Sequence, residues 1–195
     1  MTPDDRDGNW RYPARRACLR GLLGFAGTLA LGASPWGAAI ASCGLPKTRT
    51  LSLRSLHTEE RLTATYLRDG KYDSAALQDI DAILRDWRTE EVWSMDRDLL
   101  DLLFAVQQRT GSRGAVEVIS GYRSPKTNAK LAAGSKGVAK RSLHMQGRAI
   151  DIRFSDRRLA DLHDAALSMK AGGVGLYSKS GFVHLDTGRV RRWGS

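Results

Sequence analysis

Cysteine is nearly missing from this chain: Cys18 and Cys43 are the two in 195 residues. If Cys18 leaves with a targeting segment, no internal disulfide can form, so a disulfide-built scaffold is excluded. Histidine is almost as scarce, with His57, His144, His163 and His184 alone, so any grouping of them stands out from composition. Acidic side chains fall short of basic ones, 21 against 31, for a formal net charge of +10. No internal repeat is present. Otherwise the chain is ordinary: 42% hydrophobic and 27% charged residues suit one soluble globular domain with a single sizeable core.

The longest stretch without charge begins just after Arg15-Arg16-Ala-Cys-Leu-Arg20 and covers residues 21–46. It is rich in Gly, Ala and Leu and contains Pro35, which argues against a membrane-spanning helix. Paired arginines ahead of a mildly apolar stretch predict a twin-arginine export signal over 1–41, with Ala39-Ile-Ala41 offering cleavage before Ser42. Ile40-Ala-Ser-Cys43 also fits a lipoprotein processing box, the alternative being a lipid anchor at Cys43 facing the periplasm. Residues 1–41 hold five arginines and three aspartates, so what remains carries 26 basic and 18 acidic groups, net +8. A positive surface attracts polyanions, and export to the periplasm favours an acidic wall polymer over nucleic acid.

Residues 42–50 read as a tether and 51–195 as the folded domain. Leu51-Ser-Leu-Arg-Ser-Leu and Leu62-Thr-Ala-Thr-Tyr-Leu predict two antiparallel strands, with turn chemistry at Asp69-Gly70. Asp73-Ser74 can cap a helix with Leu77, Ile80, Leu84 and Trp87 on one stripe; Asp96 can cap a second, through Leu99, Leu102, Leu103 and Val106 to Gly111. Strands are expected over 116–119, 149–153, 173–177 and 182–186, helices over 126–133 and 157–169, and a basic glycine-containing loop over 134–141. The pattern predicts an α+β fold, a small antiparallel sheet backed by helices.

Two segments carry the chemistry: Ser142-Leu-His144-Met-Gln-Gly147-Arg-Ala149-Ile-Asp151 and Phe182-Val-His184-Leu-Asp186. Side chains alternate along a strand, so Asp151 points away from Ile150 and Ile152, and His184 and Asp186 share a face. If the strands are neighbours, His144, Asp151 and His184 converge. Two imidazoles and one carboxylate suit zinc (Zn2+) with an open position; the plain alternative is surface histidines paired with nearby aspartates. His57 and His163 read as structural or surface residues.

These segments, with Ser120-Gly-Tyr-Arg123-Ser and the run from Gly172 to Gly188, resemble the zinc peptidases of the D-Ala-D-Ala carboxypeptidase type. Within that group they are most similar to exported murein endopeptidases of the K type. Leu56-His-Thr-Glu59 and Arg192-Trp193 extend the similarity along the chain. The resemblance implies a hedgehog/D-Ala-D-Ala carboxypeptidase-like fold and hydrolysis of peptidoglycan cross-links, 3-3 or 4-3, at zinc held by His144, Asp151 and His184. It also implies that Arg123 meets a substrate carboxylate or the developing oxyanion. Ser142 either binds substrate or caps its loop. Better-known relatives place Glu three residues before the last zinc histidine, where this chain has Gly181. Asp186 is then either the general base or the partner that orients a ligand histidine. The missing Glu leaves one rival, a peptidoglycan-binding module that keeps the fold without turnover; a lipid-anchored scaffold for other wall enzymes and a zinc hydrolase of another exported peptide or amide are the further alternatives.

Overall fold

The computed structural model describes residues 44–134 and 138–194. The export segment over 1–41, the cleavage point before Ser42 and the anchor candidate Cys43 lie outside those residues.

Alternating side chains build the first strands. In β1 (Arg49–Ser55) Leu51 and Leu53 are buried. On the opposite face Thr50 and Ser52 pair their hydroxyls with Thr65 and Thr63 of β2 (Arg61–Arg68), each at 2.9 Å. β1 starts at Arg49, and Lys47 accepts a hydrogen bond from the Gly70 amide, so the stretch read as a tether is pinned at its end. β3 (Lys71–Tyr72) follows the Asp69-Gly70 turn.

Helix α1 (Ser74–Ile83) begins where the Asp73 carboxylate accepts from the amides of Ala75 and Ala76. It stops one turn short of the expected stripe. Leu84 is its C-cap and buried, but the Leu84 carbonyl accepts from the Tyr122 amide at 2.8 Å. Trp87 lies beyond the helix, its ring stacked on His57 at 4.2 Å with the Arg88 guanidinium over it at 4.0 Å. Helix α2 (Arg97–Thr110) is capped by Asp96 and closed by Gly111 in the left-handed region, φ 63°; it is buried from Leu99 to Gln107.

The remaining elements are β4 (Val116–Ser120), α3 (Pro125–Gly134), a 3-10 turn (Leu143–Gln146), β5 (Ala149–Phe154), α4 (Leu159–Met169), β6 (Gly173–Tyr177), β7 (Phe182–Asp186) and β8 (Arg191–Gly194). The class is α+β. The sheet differs from the expected small antiparallel one: it has eight strands in the order β3-β2-β1-β4-β5-β7-β6-β8, and the β1–β4 and β6–β8 pairs are parallel. The physical reasons are local. β3 has two residues and β8 reads Arg-Arg-Trp-Gly, so neither carries an apolar alternation. The β1–β4 pairing is made across α1 and α2, which no short-range pattern encodes.

Ile150, Ile152, Val183, Leu185 and Val174 form one buried cluster with Leu99, Leu103, Leu162 and Ala166 of α2 and α4. Burying each large aliphatic side chain contributes about 1.5–3 kcal/mol. Their sheet neighbours Asp151 and His184 are thereby turned to the opposite face.

Asp86 anchors the path from α1 to the turn after β4. It is buried, and its carboxylate accepts from the amides of Ser124 at 2.8 Å and Arg88 at 3.1 Å. Burial by itself would raise its pKa, but hydrogen bonds from Thr127, Ser124 and Arg88 outweigh it and hold the group below the ordinary carboxylate value. A depressed folded pKa adds stability that is complete above the unfolded value, about 3.9, and is lost as pH falls through the folded one. In urea titrations Asp86→Asn is expected to be less stable than the parent at pH 7, with the gap narrowing toward pH 2. An unchanged gap across that range would show that ionised Asp86 contributes nothing.

Candidate metal centre

The antiparallel register of β5 and β7 sets Asp151 directly opposite His184. His144 arrives from the 3-10 turn before β5. The Ser142 hydroxyl caps that turn, accepting from the His144 amide at 3.4 Å, and Gly147 closes it at φ 67°. A Cβ at Gly147 would overlap the Ser94 carbonyl, so both conformation and space require glycine there.

The turn after β4 grips His144. Its Nδ1–H donates to the Gly121 carbonyl at 2.7 Å, while its own carbonyl accepts from the Arg123 amide at 3.2 Å. With Nδ1 committed as donor, Nε2 presents a lone pair inward. His144 Nε2 lies 3.2 Å from His184 Nδ1 and 3.3 Å from Asp151 Oδ1, and the last two are 2.8 Å apart. Tetrahedral ligands at about 2.1 Å from zinc stand about 3.4 Å from one another. The three atoms therefore fit one ion with little adjustment, and they form the metal-capable group among the described residues.

The charges of His144 and Asp151 agree with this use, and His184 would exchange a proton for the metal. Complete burial keeps the His144 ring below its ordinary pKa despite the nearby Asp151, so it stays neutral and able to ligate. For Asp151, burial pushes upward, but His144 and His184 outweigh it and keep the carboxylate ionised. Burial also opposes a charge on His184, yet hydrogen bonds to Asp151 and Asp186 prevail and push its pKa up to about 9.

Asp186 shares the strand face of His184 but does not join the three-atom cluster. Its Oδ2 is 3.1 Å from His184 Nε2, the ring nitrogen facing away from Asp151. Oδ2 also accepts from Arg191 at 2.7 Å; Oδ1 accepts from Arg191 and from the amides of Gly173 and Gly188. Its side chain is fully buried, and although burial would raise its pKa, these hydrogen bonds hold it well below the carboxylate range.

A cleft of about 500 Å³ opens over the cluster, lined by Arg123, Arg141, Ser142, Tyr177, Phe182 and Trp193 among others. The Arg123 guanidinium is mostly buried at the cleft wall. Nη2 reaches Ser120 at 3.3 Å and Asp151 at 3.4 Å, and Nε has no partner among the described residues. Burial lowers its pKa, which leaves a cation short of compensation beside an open site. Gly181 sits in the β6–β7 hairpin at φ 71°, a turn position that favours glycine. His57 and His163 do not line the cleft. Sequence reasoning missed Arg191, Trp193, Tyr177 and the Gly121 carbonyl; Gly173-Val-Gly175, glycines alternating on one strand face, was the available signal for the first two.

A Cβ on Gly121 would collide with the Leu84 backbone. Gly121→Ala is therefore expected to cost about 1–3 kcal/mol in denaturant unfolding and, by shifting the carbonyl that holds His144, to weaken metal binding as well. Parent-like stability together with parent-like metal affinity would refute this account of the turn.

Residues 44–193 match the peptidase family Peptidase_M15_2, described as peptidoglycan L,D-endopeptidase MepK. The chain is 43% identical over 171 residues to peptidoglycan L,D-endopeptidase MepK of Escherichia coli K12, covering 85% of this chain and 94% of that protein. It is 41% identical over 155 residues to a probable peptidoglycan L,D-endopeptidase MepK of Haemophilus influenzae, covering 79% and 83%. No solved structure matches. Matched across nearly all of its described residues, and with His144, Asp151 and His184 gathered at one cleft, the chain belongs to this family of peptidases.

Proposed function

We propose that this protein is a zinc-dependent murein endopeptidase that hydrolyses peptide cross-links of peptidoglycan. The observation that carries the reading is the convergence of His144 Nε2, Asp151 Oδ1 and His184 Nδ1 at the floor of an open cleft. Zinc bound there by His144, Asp151 and His184 supplies Lewis-acid polarisation of the scissile carbonyl and acidification of water.

The other residues bind and orient. Arg123 offers the unpaired face of its guanidinium to a substrate carboxylate or to the carbonyl oxygen as charge develops on it. Asp186 receives the Nε2 proton of His184 and so keeps Nδ1 turned to the cluster; with both oxygens engaged by Arg191 and backbone amides, it acts as orienter rather than general base. Ser142 shapes the turn that carries His144. Arg123, Arg141 and Arg191 make the cleft cationic, which suits wall peptides with free carboxylates.

The relatives' names specify an L,D bond. Carried to this chain, an L,D bond favours 3-3 cross-links over 4-3, since in a 3-3 link the L-centre carboxyl of one diaminopimelate acylates the D-centre amine of another. The substrate lies outside the cytoplasmic membrane, in keeping with the export signal read at Arg15-Arg16, and no described helix is long and apolar enough to cross a membrane.

Cross-linked muropeptide dimers incubated with the purified chain and zinc are expected to give monomers, read by mass. His184→Ala and a chelator should each abolish this, and zinc should restore activity after the chelator but not to the variant. Dimers left intact by zinc-loaded protein would favour a wall-binding module instead. Arg123→Met is expected to lower kcat/KM by about 10²–10³ with zinc still bound, the loss typical of one oxyanion donor; a change confined to KM would assign Arg123 to substrate binding alone.

A further inference from the structure

Strand β8 is not adjacent to the strand that carries His184. β6 lies between β8 and β7, yet two β8 side chains reach across it. Gly173 pairs with Arg191, and Gly175 pairs with Trp193 on one side and His184 on the other. Above Gly173 the Arg191 guanidinium passes to both oxygens of Asp186, at 3.0 and 2.7 Å. Above Gly175 the Trp193 ring reaches a centroid distance of 5.2 Å from the His184 ring, and its Nε1–H donates to the Tyr177 hydroxyl at 3.0 Å.

A side chain on either glycine would force this bridge to shift. A Cβ on Gly173 would stand 2.5 Å from Arg191 Nη1, and one on Gly175 would stand 2.5 Å from Trp193 Cε2. Both are far inside contact distance, and neither glycine has a positive φ that would independently require it. The bare strip of β6 is explained by what crosses it.

We propose that β8 is a positioning clamp for His184: Arg191 holds the Asp186 carboxylate in the orientation that receives His184 Nε2–H, and Trp193 limits the swing of the ring. Arg191 is thus a positioning residue that acts through Asp186. The Gly173 and Gly188 amides hold Oδ1 alone, while the guanidinium, with one donor to each oxygen, sets the plane of the carboxylate. The inference rests on the zinc reading above and adds residues to it.

The test is a double-mutant cycle on the purified chain: parent, Arg191→Met, Asp186→Asn and the double variant. Zinc affinity is read by chelator competition, and the cobalt-loaded visible spectrum reports ligand geometry. Arg191→Met is expected to weaken zinc about ten- to a hundredfold and alter the cobalt spectrum, with Arg191→Lys restoring part of the affinity. The double variant should lose less affinity than the sum of the two single losses, because Arg191 acts on His184 mainly through Asp186, its other contact being the Trp193 ring 4.8 Å from its guanidinium carbon. Additive losses, or parent-like affinity and spectrum in Arg191→Met, would overturn the clamp while leaving the endopeptidase reading intact. A parent that binds no zinc would overturn that reading and the clamp with it. Gly175→Ala supplies a second variant that keeps every polar group: displacement of Trp193 should alter the cobalt spectrum, and an unchanged one counts against the proposal.

Discussion

The site depends on the pairing register of β5 and β7. A slip of β5 by one residue would turn its faces over, sending Asp151 into the aliphatic cluster and bringing Ile150 or Ile152 to the cleft. The apolar face forbids that slip at several kcal/mol, because Ile150 and Ile152 would both lose their burial. The hydrophobic effect, which has no direction of its own, thus fixes which side chains face the cleft.

Around that pair the structure closes from three sides. The turn after β4 sets the tautomer of His144, Asp186 sets the orientation of His184, and the Arg123 guanidinium stands against Asp151 without fully satisfying itself. Burial and compensation act in opposite senses on neighbouring groups. One histidine is kept neutral and the other binds a proton tightly between two carboxylates. A divalent cation relieves both conditions, since it replaces the proton and neutralises the carboxylate.

Much of this was legible before any coordinates. Period-two alternation placed Asp151 and His184 on faces opposite their aliphatic neighbours, and scarcity made His144 and His184 conspicuous. The α+β class followed from helical stripes and short β-branched runs. The same rule put Asp186 on the face of His184 and left two roles open, base or orienter; which ring nitrogen it meets, the one turned away from Asp151, is set by the ring's rotation and has no sequence signal. The size and mixed direction of the sheet escaped because β3 and β8 are too short and polar to show a period. Arg191 and Trp193 escaped for the same reason, since their partners are set by a parallel pairing with no local signature.

The contact that holds His144 in its tautomer has a further consequence. Its acceptor is a main-chain oxygen, which every amino acid possesses, so no side-chain truncation can delete it. A scan of alanine substitutions would report position 121 as a matter of space and miss its electronic part altogether. Replacing the Gly121–Tyr122 amide by an ester would weaken that oxygen as an acceptor with all side chains in place, and would also remove the Tyr122 amide that donates to the Leu84 carbonyl. Chemistry vital to a site can in this way be written in the backbone, where it is protected from mutation and silent in the alphabet of the sequence.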